Sequence, residues 1–165
     1  MAEIVRLTPD DWQQLRDLRI RATKEVPLAF GRTTKEEAEK TEEEWREQLK
    51  DSYYYGAKEE GALIGMLRVA HEKDEMRAHI AQIYGVYVAP EARGKKIGRS
   101  LMDIALKELT QNQHILKVRL SVAETQKEAL NLYSAYGFKQ VGIFQKEGKF
   151  DGRYIDIIQM EKFLH

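Results

Sequence analysis

The stretch VYVAPEARGKKIGRS, residues 86–100, is the part of the chain that decides its fold. An apolar run is followed by Pro90 and then by a basic segment that contains Gly94 and Gly98. This order is typical of a strand that leads through a loop into the start of a helix. A helix N-terminus presents N–H groups without intrahelical acceptors, and glycine lets a phosphate approach that backbone closely. The basic side chains around these glycines are Arg93, Lys95, Lys96 and Arg99.

Three other kinds of site fit this stretch less well than a pyrophosphate site. The Walker pattern requires a glycine five residues before Gly94, where the chain has Ala89. The dinucleotide fingerprint requires a third glycine, which is missing. A nucleic-acid patch is disfavoured because Ile97 and Gly98 interrupt a short basic run. From the residues alone, a pyrophosphate site and a solvated helix start whose glycines serve only packing both remain open.

Outward from this stretch, strand patterns and helix patterns follow one another. Residues 78–88 are predicted as one long strand, and residues 95–110 place apolar side chains on one helical face. Thr8 followed by Pro9 indicates a helix start. Further predictions are capping boxes at Thr34–Glu37 and Thr41–Glu44, strands at 2–7, 53–57, 62–70, 117–122, 138–144 and 153–159, a helix at 125–136 that ends at Gly137, and a loop at 145–152. This order predicts a mixed α/β domain around one sheet. Because no repeat, low-complexity tract or linker is present, residues 1–165 are predicted to form a single domain.

The composition excludes several classes of protein. Of the 165 residues, 42% are hydrophobic and 33% are charged, which favours a folded domain over a disordered segment. The 27 basic and 27 acidic residues give no net charge, so no general attraction to nucleic acid or to an anionic membrane is expected. Cysteine is absent and the four histidines show no metal-ligand spacing, so no metal site is predicted. We expect a cytoplasmic protein without a signal peptide or a membrane span.

Two motifs identify a family. The pattern V-x-P-x-x-R-G-x-x-I-G closely resembles the acetyl-CoA pyrophosphate loop of the GNAT N-acetyltransferases, and its matching residues are Val88, Pro90, Arg93, Gly94, Ile97 and Gly98. The sequence ALNLYSAYGF, residues 129–138, is similar to the second GNAT motif, A-x-x-L-Y-x-x-x-G-F. The order of predicted elements agrees with this superfamily, in its bacterial form, along nearly the whole chain. The resemblance implies the GNAT fold, a single mixed and mostly antiparallel sheet of about six to seven strands with helices on both faces.

The resemblance also implies where acetyl-CoA binds. The main chain of residues 86–88 is expected to separate from the neighbouring strand and to pair with the pantetheine arm, with a bulge near Gly85. The N–H groups of residues 93–98 are expected to hold the pyrophosphate, with Arg99 beside it. Gln126 stands where the family often has an asparagine that contacts the cofactor. The expected cofactor contacts are therefore Val86, Tyr87, Val88, Arg93, Gly94, Lys95, Lys96, Ile97, Gly98, Arg99 and Gln126.

For the chemistry, the resemblance implies direct attack of a neutral amine on the thioester, in a complex of both substrates. Tyr133 matches the tyrosine that protonates the departing thiolate in many relatives, and an N–H near Val86 is expected to stabilise the oxyanion. Where some relatives carry a carboxylate base, this chain has Gln82 and Ser121. The general base is therefore left open between water with backbone carbonyls and four side chains, which are Glu75, His79, Glu124 and Asp156.

The predicted function is transfer of an acetyl group from acetyl-CoA to a primary amine, with a small-molecule amine as the acceptor. The alternatives are acetylation of a protein N-terminus or lysine, and a catalytically silent acyl-CoA-binding module. The acceptor site is expected between residues 20–51 and 144–154, whose mixed charges do not identify a ligand. No nucleic-acid or membrane partner is expected, and a homodimer is left open.

Overall fold

Seven strands form one sheet with the order β1-β2-β3-β4-β5-β7-β6 in the computed structural model, which describes all 165 residues. The strands are β1 Glu3–Arg6, β2 Tyr53–Glu59, β3 Ala62–His71, β4 Ile80–Val88, β5 Lys117–Ala123, β6 Lys139–Phe150 and β7 Arg153–Phe163. The helices are α1 Trp12–Glu25, α2 Thr34–Glu39, α3 Glu42–Asp51, α4 Ile97–Gln111 and α5 Lys127–Ala135. Strands β4 and β5 are parallel, whereas β1–β2, β2–β3, β5–β7 and β6–β7 are antiparallel. The mixed, mostly antiparallel sheet is therefore confirmed.

The chain divides into two compact units. The first unit contains Met1–Ala70 and Ile83–Glu108, and the second contains His71–Gln82 and Leu109–His165. Strand β4 contributes its first three residues to the second unit and the rest to the first. None of the helices combines the length and the apolar composition that crossing a bilayer requires.

The first unit has a core built by α1, α3 and strands β2 to β4. Leu15 and Leu18 come from α1 and Trp45 from α3, at the helical spacing that the sequence predicts. They pack with Tyr54 and Met66 of the neighbouring strands. Each large apolar side chain that is fully buried stabilises the fold by ~1.5–3 kcal/mol relative to its exposure. This cluster therefore holds α1 and α3 against strands β2, β3 and β4.

One of the predicted capping boxes is displaced by one residue. The box at Thr41–Glu44 is confirmed, with the Thr41 N–H donating to Glu44 at 2.7 Å. The box predicted at Thr34–Glu37 is wrong, because the structure pairs Thr33 with Glu36 at 2.6 Å. The pattern T-x-x-E occurs in both frames, and the burial of Glu37 beside another helix decides between them.

The last two strands are longer than the sequence predicts. Residues 145–152 were expected to form a loop, which is wrong: β6 continues to Phe150 and β7 begins at Arg153. Asp151 and Gly152 alone form the turn, with φ values of 49° and 73°. Two successive positive φ values are the geometry of the tight hairpin turns that Asp-Gly favours. A register shift between Phe144 and Gly148 accommodates the polar residues that suggested a loop.

Candidate cofactor-binding and catalytic sites

The glycine-basic loop, residues 93–99, ends in the first turn of α4. The Ser100 N–H donates to the Lys96 carbonyl at 3.1 Å, which places Lys96 at the N-cap position. The N–H groups of Ile97, Gly98 and Arg99 then have no acceptor within the helix. Ile97 is buried and anchors the helix start. These donors point out of the N-terminus of a fifteen-residue helix, where its dipole favours an anion.

Two residues of the loop have left-handed backbone conformations. Gly94 has φ of 81° and Lys96 has φ of 61°. For a residue with a side chain this conformation costs ~1–2 kcal/mol, and such strain concentrates at ligand-binding sites. Left-handed residues next to ordinary ones turn successive N–H groups into a concave anion-binding surface. A Cβ added at Gly94 would meet no atom within 4 Å, so the space in front of the loop is open. The loop therefore fits a pyrophosphate.

The basic side chains of the loop do not all face this space. Arg93 donates through Nε to the Val88 carbonyl at 3.0 Å and through Nη2 to Glu25. Lys95 pairs with Glu59 at 3.0 Å. Lys96 and Arg99 are exposed. The main-chain N–H of Arg93 donates to the Pro90 carbonyl at 3.2 Å, so both this group and the side chain are bonded within the protein, and the phosphate contact of Arg93 stays a prediction. The predicted contact of Lys95 would use its main-chain N–H, while its side chain holds the loop in place.

Helix α1 fastens the loop through two groups of contacts within the first unit. Arg21 makes two hydrogen bonds to Glu91, at 2.7 and 2.6 Å, and these bonds lower the pKa of Glu91 to about 2. The Tyr87 hydroxyl donates to Glu25 at 2.6 Å. Burial opposes ionisation of Glu25, but the hydrogen bonds from Tyr87 and Arg93 outweigh it and lower the pKa of that carboxyl. Burial and the Glu25 charge raise the pKa of Tyr87 to about 12. These contacts hold the glycine-basic loop on the side that packs against α1.

The segment before the loop offers main chain rather than side chains. The pairing of β4 with β5 covers Ile80, Ala81 and Gln82, so residues 86–88 are not paired with β5. Gly85 has φ of 57°, a left-handed backbone conformation, and the bulge expected near it stays a prediction. The Tyr87 side chain is buried, with its ring 6.2 Å from that of Phe30. Any contact of this segment with a pantetheine arm would therefore come from the backbone.

Tyr133 and Gln126 lie in the second unit, on and before α5. Tyr133 is 7% exposed, and its ring packs edge-on against Phe138 at 6.2 Å. Burial raises the pKa of the Tyr133 hydroxyl, so it is protonated at neutral pH, as a general acid must be. Gln126 is the N-cap residue of α5, and its N–H donates to Ala123 at 2.9 Å. The proposed roles of both residues stay predictions.

The two positions without a family carboxylate are hydrogen-bonded within the second unit. Ser121 donates to Gln159 at 2.8 Å, and Gln82 donates to Glu72. Glu72 also accepts from Arg119 at 2.9 Å. Glu72 was not predicted from the sequence, because no local pattern links the residue that follows β3 to the first residues of β4.

The four side chains predicted as candidate bases have different surroundings. Glu124 accepts from the Asp156 N–H at 3.1 Å, and Asp156 accepts from the Lys146 N–H at 2.8 Å. These two carboxylates thus stabilise the backbone of the last hairpin and the strand before it. Glu75 and His79 are exposed. The structure brings none of the four together with the glycine-basic loop in one unit.

Comparisons with known proteins agree with this geometry. The family model described as Acetyltransferase (GNAT) family matches residues 12–138. A phosphinothricin N-acetyltransferase from Alcaligenes faecalis is 28% identical over 113 residues, which are 68% of this chain and 57% of that protein. A spermidine N(1)-acetyltransferase from Vibrio cholerae is 32% identical over 82 residues, which are 50% of this chain and 47% of that protein. The matched part thus spans about half the length of these curated relatives.

Solved structures resemble the whole chain. A GNAT-family acetyltransferase from Streptococcus pneumoniae has a TM-score of 0.89 with 19% identity, and the match covers 100% of both chains. A phosphinothricin acetyltransferase from Sinorhizobium meliloti, solved with acetyl-CoA, has a TM-score of 0.79 with 19% identity over 98% of this chain and 88% of that one. The family model covers well over half of the chain and includes both motifs. The chain belongs to the GNAT family of acetyltransferases.

Proposed function

We propose that the chain transfers the acetyl group of acetyl-CoA to the nitrogen of a small-molecule amine. The main support for this proposal is the structure of the glycine-basic loop. Its helix-terminal N–H groups, its two left-handed residues and the open space in front of Gly94 suit the diphosphate of coenzyme A. Membership of the GNAT family gives this anion site its chemical context.

Bound acetyl-CoA would supply a thioester whose carbonyl carbon an amine nitrogen can attack. The N–H groups of Ile97, Gly98 and Arg99 would hold the diphosphate, and the main chain of residues 86–88 would orient the pantetheine arm. An N–H near Val86 would donate to the carbonyl oxygen as negative charge develops there. Most of the rate would come from holding the amine and the thioester in contact.

Proton transfer would use groups of this chain at both ends of the reaction. Tyr133, kept protonated by burial, would donate its proton to the departing sulfur. A thiol has an ordinary pKa of about 8.5, so this donation lowers the barrier only moderately. The amine must lose a proton, and without a carboxylate at residues 82 and 121 water and backbone carbonyls would accept it.

A small-molecule acceptor is favoured by the curated relatives, which are named for phosphinothricin and for spermidine. Among the solved structures are ribosomal-protein-alanine N-acetyltransferases, from Brucella melitensis and Escherichia coli. These are 23% and 19% identical to this chain, and such a likeness supports the fold alone. The protein-acetylating alternative therefore has no separate support.

The test is the release of free coenzyme A thiol from acetyl-CoA in the presence of amino acids, phosphinothricin, polyamines and N-terminal peptides. We expect release to depend on at least one small amine and to exceed the rate without an amine. Thermal shift with CoA, acetyl-CoA and ATP is run in parallel, since a ligand of the native state raises its stability. Binding of CoA without transfer to any amine would favour a silent acyl-CoA-binding module. Binding of ATP instead of either CoA form would overturn the assignment of the loop.

A further inference from the structure

A buried charged cluster connects α1, α2 and α3 in the first unit. Arg19 is 5% exposed and Glu37 is 0% exposed. Arg19 donates to the two oxygens of Glu37 through Nε at 3.3 Å and Nη2 at 3.2 Å. Lys40 donates to the same carboxylate at 3.4 Å and to Gln48 at 3.0 Å. Two basic side chains thus share one buried carboxylate.

Glu37 holds only one edge of the Arg19 guanidinium. The remaining nitrogen, Nη1, lies 2.9 Å from the position that a Cβ at residue 85 would occupy. The edge of the Phe30 ring lies 3.3 Å from the same position. Gly85 is left-handed and carries no side chain, so Arg19 and Phe30 approach the backbone of β4 closely at this point. The ion pair with Glu37 holds the guanidinium in this orientation, and such preorganisation makes a charged group effective in binding.

The position of Gly85 connects this cluster to the proposed reaction. Gly85 directly precedes residues 86–88, whose main chain would orient the pantetheine arm under the proposed function. The carbonyl oxygen of the thioester would lie near the Val86 N–H, one residue after Gly85, whose Cβ position lies 2.9 Å from Nη1. An acceptor whose amine reaches that carbonyl would therefore present its next polar group to Arg19.

We propose that Arg19 binds an acidic group of the acceptor, a carboxylate or a phosphinate, so that the substrates of this chain are amines of the amino-acid type rather than polyamines. This inference rests on the proposed function. An arginine fork matches a planar or tetrahedral oxyanion, and its donors cannot accept from a cation. A polyamine would bring another positive charge to a site where Arg19 and Lys40 already share one carboxylate, which is unfavourable at low solvent exposure. The Phe30 edge would contact the carbon chain between the amine and the acidic group.

The first test uses the unaltered protein and acceptors that differ in one charge. Phosphinothricin and a set of α-amino acids are compared with their carboxamides and with spermidine. Rates are expressed per concentration of unprotonated amine, because an amide lowers the pKa of the neighbouring amine. We expect kcat/KM to be roughly tenfold or more higher for each acid than for its amide, the size of one charge-assisted contact. Equal values, or a preference for spermidine, would overturn the inference while leaving acetyl transfer intact. If no amine is acetylated, the proposed function fails and this inference fails with it.

The second test assigns the preference to Arg19. Removing Arg19 alone would leave the buried Glu37 with a single contact, to Lys40 at 3.4 Å, which destabilises the fold, so the variant is the double change Arg19→Gln with Glu37→Gln. The matched control is Glu37→Gln alone, which keeps the guanidinium. We expect the double variant to lose the preference for acids through KM, with CoA affinity unchanged. The control should keep most of the preference, because a glutamine oxygen can still accept from the guanidinium and hold its orientation. A folded double variant with the preference of the unaltered protein would give Arg19 a purely structural role. If the double variant does not fold, the comparison of acids with amides still decides between an acidic and a neutral acceptor.

Discussion

Residues 93–99 and residues 145–152 have similar compositions but form different backbone structures. Both segments mix lysine and glycine with other polar residues, and both contain left-handed residues, Lys96 in the first and Lys146 in the second. In the first segment the N–H groups of Ile97, Gly98 and Arg99 lie at the start of a helix and have no acceptor within it. In the second segment Gly148, Lys149 and Phe150 pair with β7 in a long hairpin, and the Lys146 N–H donates to the Asp156 carboxylate at 2.8 Å. The composition of a segment therefore does not predict a binding site. What does predict one is whether the backbone N–H groups of the segment lack hydrogen-bond acceptors within the protein.

The largest effect on CoA affinity is expected from a glycine-to-aspartate substitution, which we compare between the two segments. Gly94 and Gly152 have φ values of 81° and 73°, and a Cβ at either would meet no atom within 4 Å. Gly94→Asp and Gly152→Asp should therefore cost similar backbone strain, ~1–2 kcal/mol. Only Gly94→Asp places a carboxylate at the proposed diphosphate site. We expect it to weaken CoA binding by roughly a hundredfold or more, or ~2.7 kcal/mol, in calorimetric titration.

Gly152→Asp is the control for that experiment and should bind CoA normally. If Gly94→Asp binds CoA as the unaltered protein does, the diphosphate lies elsewhere. If both variants lose binding equally, the loss reflects stability, and the comparison of the two segments fails.

A large effect on kcat is also expected if the second unit contributes a reacting group, the Tyr133 hydroxyl. Tyr133→Phe keeps the ring packed against Phe138 and removes the hydroxyl. If that hydroxyl protonates the leaving thiolate, kcat should fall roughly a hundredfold, within the usual range for one general acid, with CoA affinity unchanged. This is ~2.7 kcal/mol of transition-state stabilisation. The measurement is steady-state kinetics with acetyl-CoA and with a thioester of a more acidic thiol.

The loss should shrink with the more acidic thiol, because protonation of the leaving group then matters less. An unchanged kcat with acetyl-CoA, under conditions in which chemistry limits the rate, would remove Tyr133 from the mechanism. Binding in the first unit would then supply most of the rate.

A smaller effect is expected from the contacts that hold the glycine-basic loop from behind. Glu25→Gln keeps the size of the side chain but weakens its bonds to Tyr87 and Arg93. We expect a loss of unfolding free energy of ~1 kcal/mol, since the site is partly exposed to solvent. A CoA affinity several-fold lower is expected as well, because the loop is less well held.

The pH dependence of stability distinguishes this contact from simple packing. The pKa of Glu25 lies below its ordinary value of 4.5 in the folded protein, so its stabilisation is present above pH 4.5. It is lost as the pH falls through the lower folded value. Urea denaturation should therefore show a steeper loss of stability below pH 4.5 in the unaltered protein than in Glu25→Gln. Equal slopes would mean that the Glu25 charge does not stabilise the loop.

The smallest effects on stability and on CoA affinity are expected from lysine-to-glycine substitutions, which again compare the two segments. Lys96→Gly and Lys146→Gly each relieve a left-handed residue, at φ of 61° and 55°. The relief is offset by the greater freedom of glycine in the unfolded chain, so each should raise the unfolding free energy by no more than ~1 kcal/mol. CoA affinity should change by less than roughly tenfold in Lys96→Gly, the loss of one exposed charge. A larger loss would show that the Lys96 side chain, and not the main chain, carries the diphosphate.

Much of the fold could be predicted because its evidence is local. The capping box at Thr41–Glu44, the apolar face of α4 and the left-handed Gly137 at the end of α5 each depend on residues only a few positions apart. The hairpin of β6 and β7 could also have been predicted from the sequence, since Asp151-Gly152 is a strong turn pattern. Its polar strand was mistaken for a loop because register shifts are not visible in a single strand.

The sequence by itself determined the family, the order of strands and helices, and the glycine-basic loop, because each depends on short motifs and on backbone preferences. Tertiary structure alone decided which charges are available to a ligand. Arg93 is held by Glu25, 68 residues away, and Arg19 by Glu37, 18 residues away. Such partners are selected by the burial of whole helices against strands, and a buried charge must find a partner wherever the fold places one. This is why Glu37 could be mistaken for a cap, and why Arg19 was not recognised as a candidate binding residue.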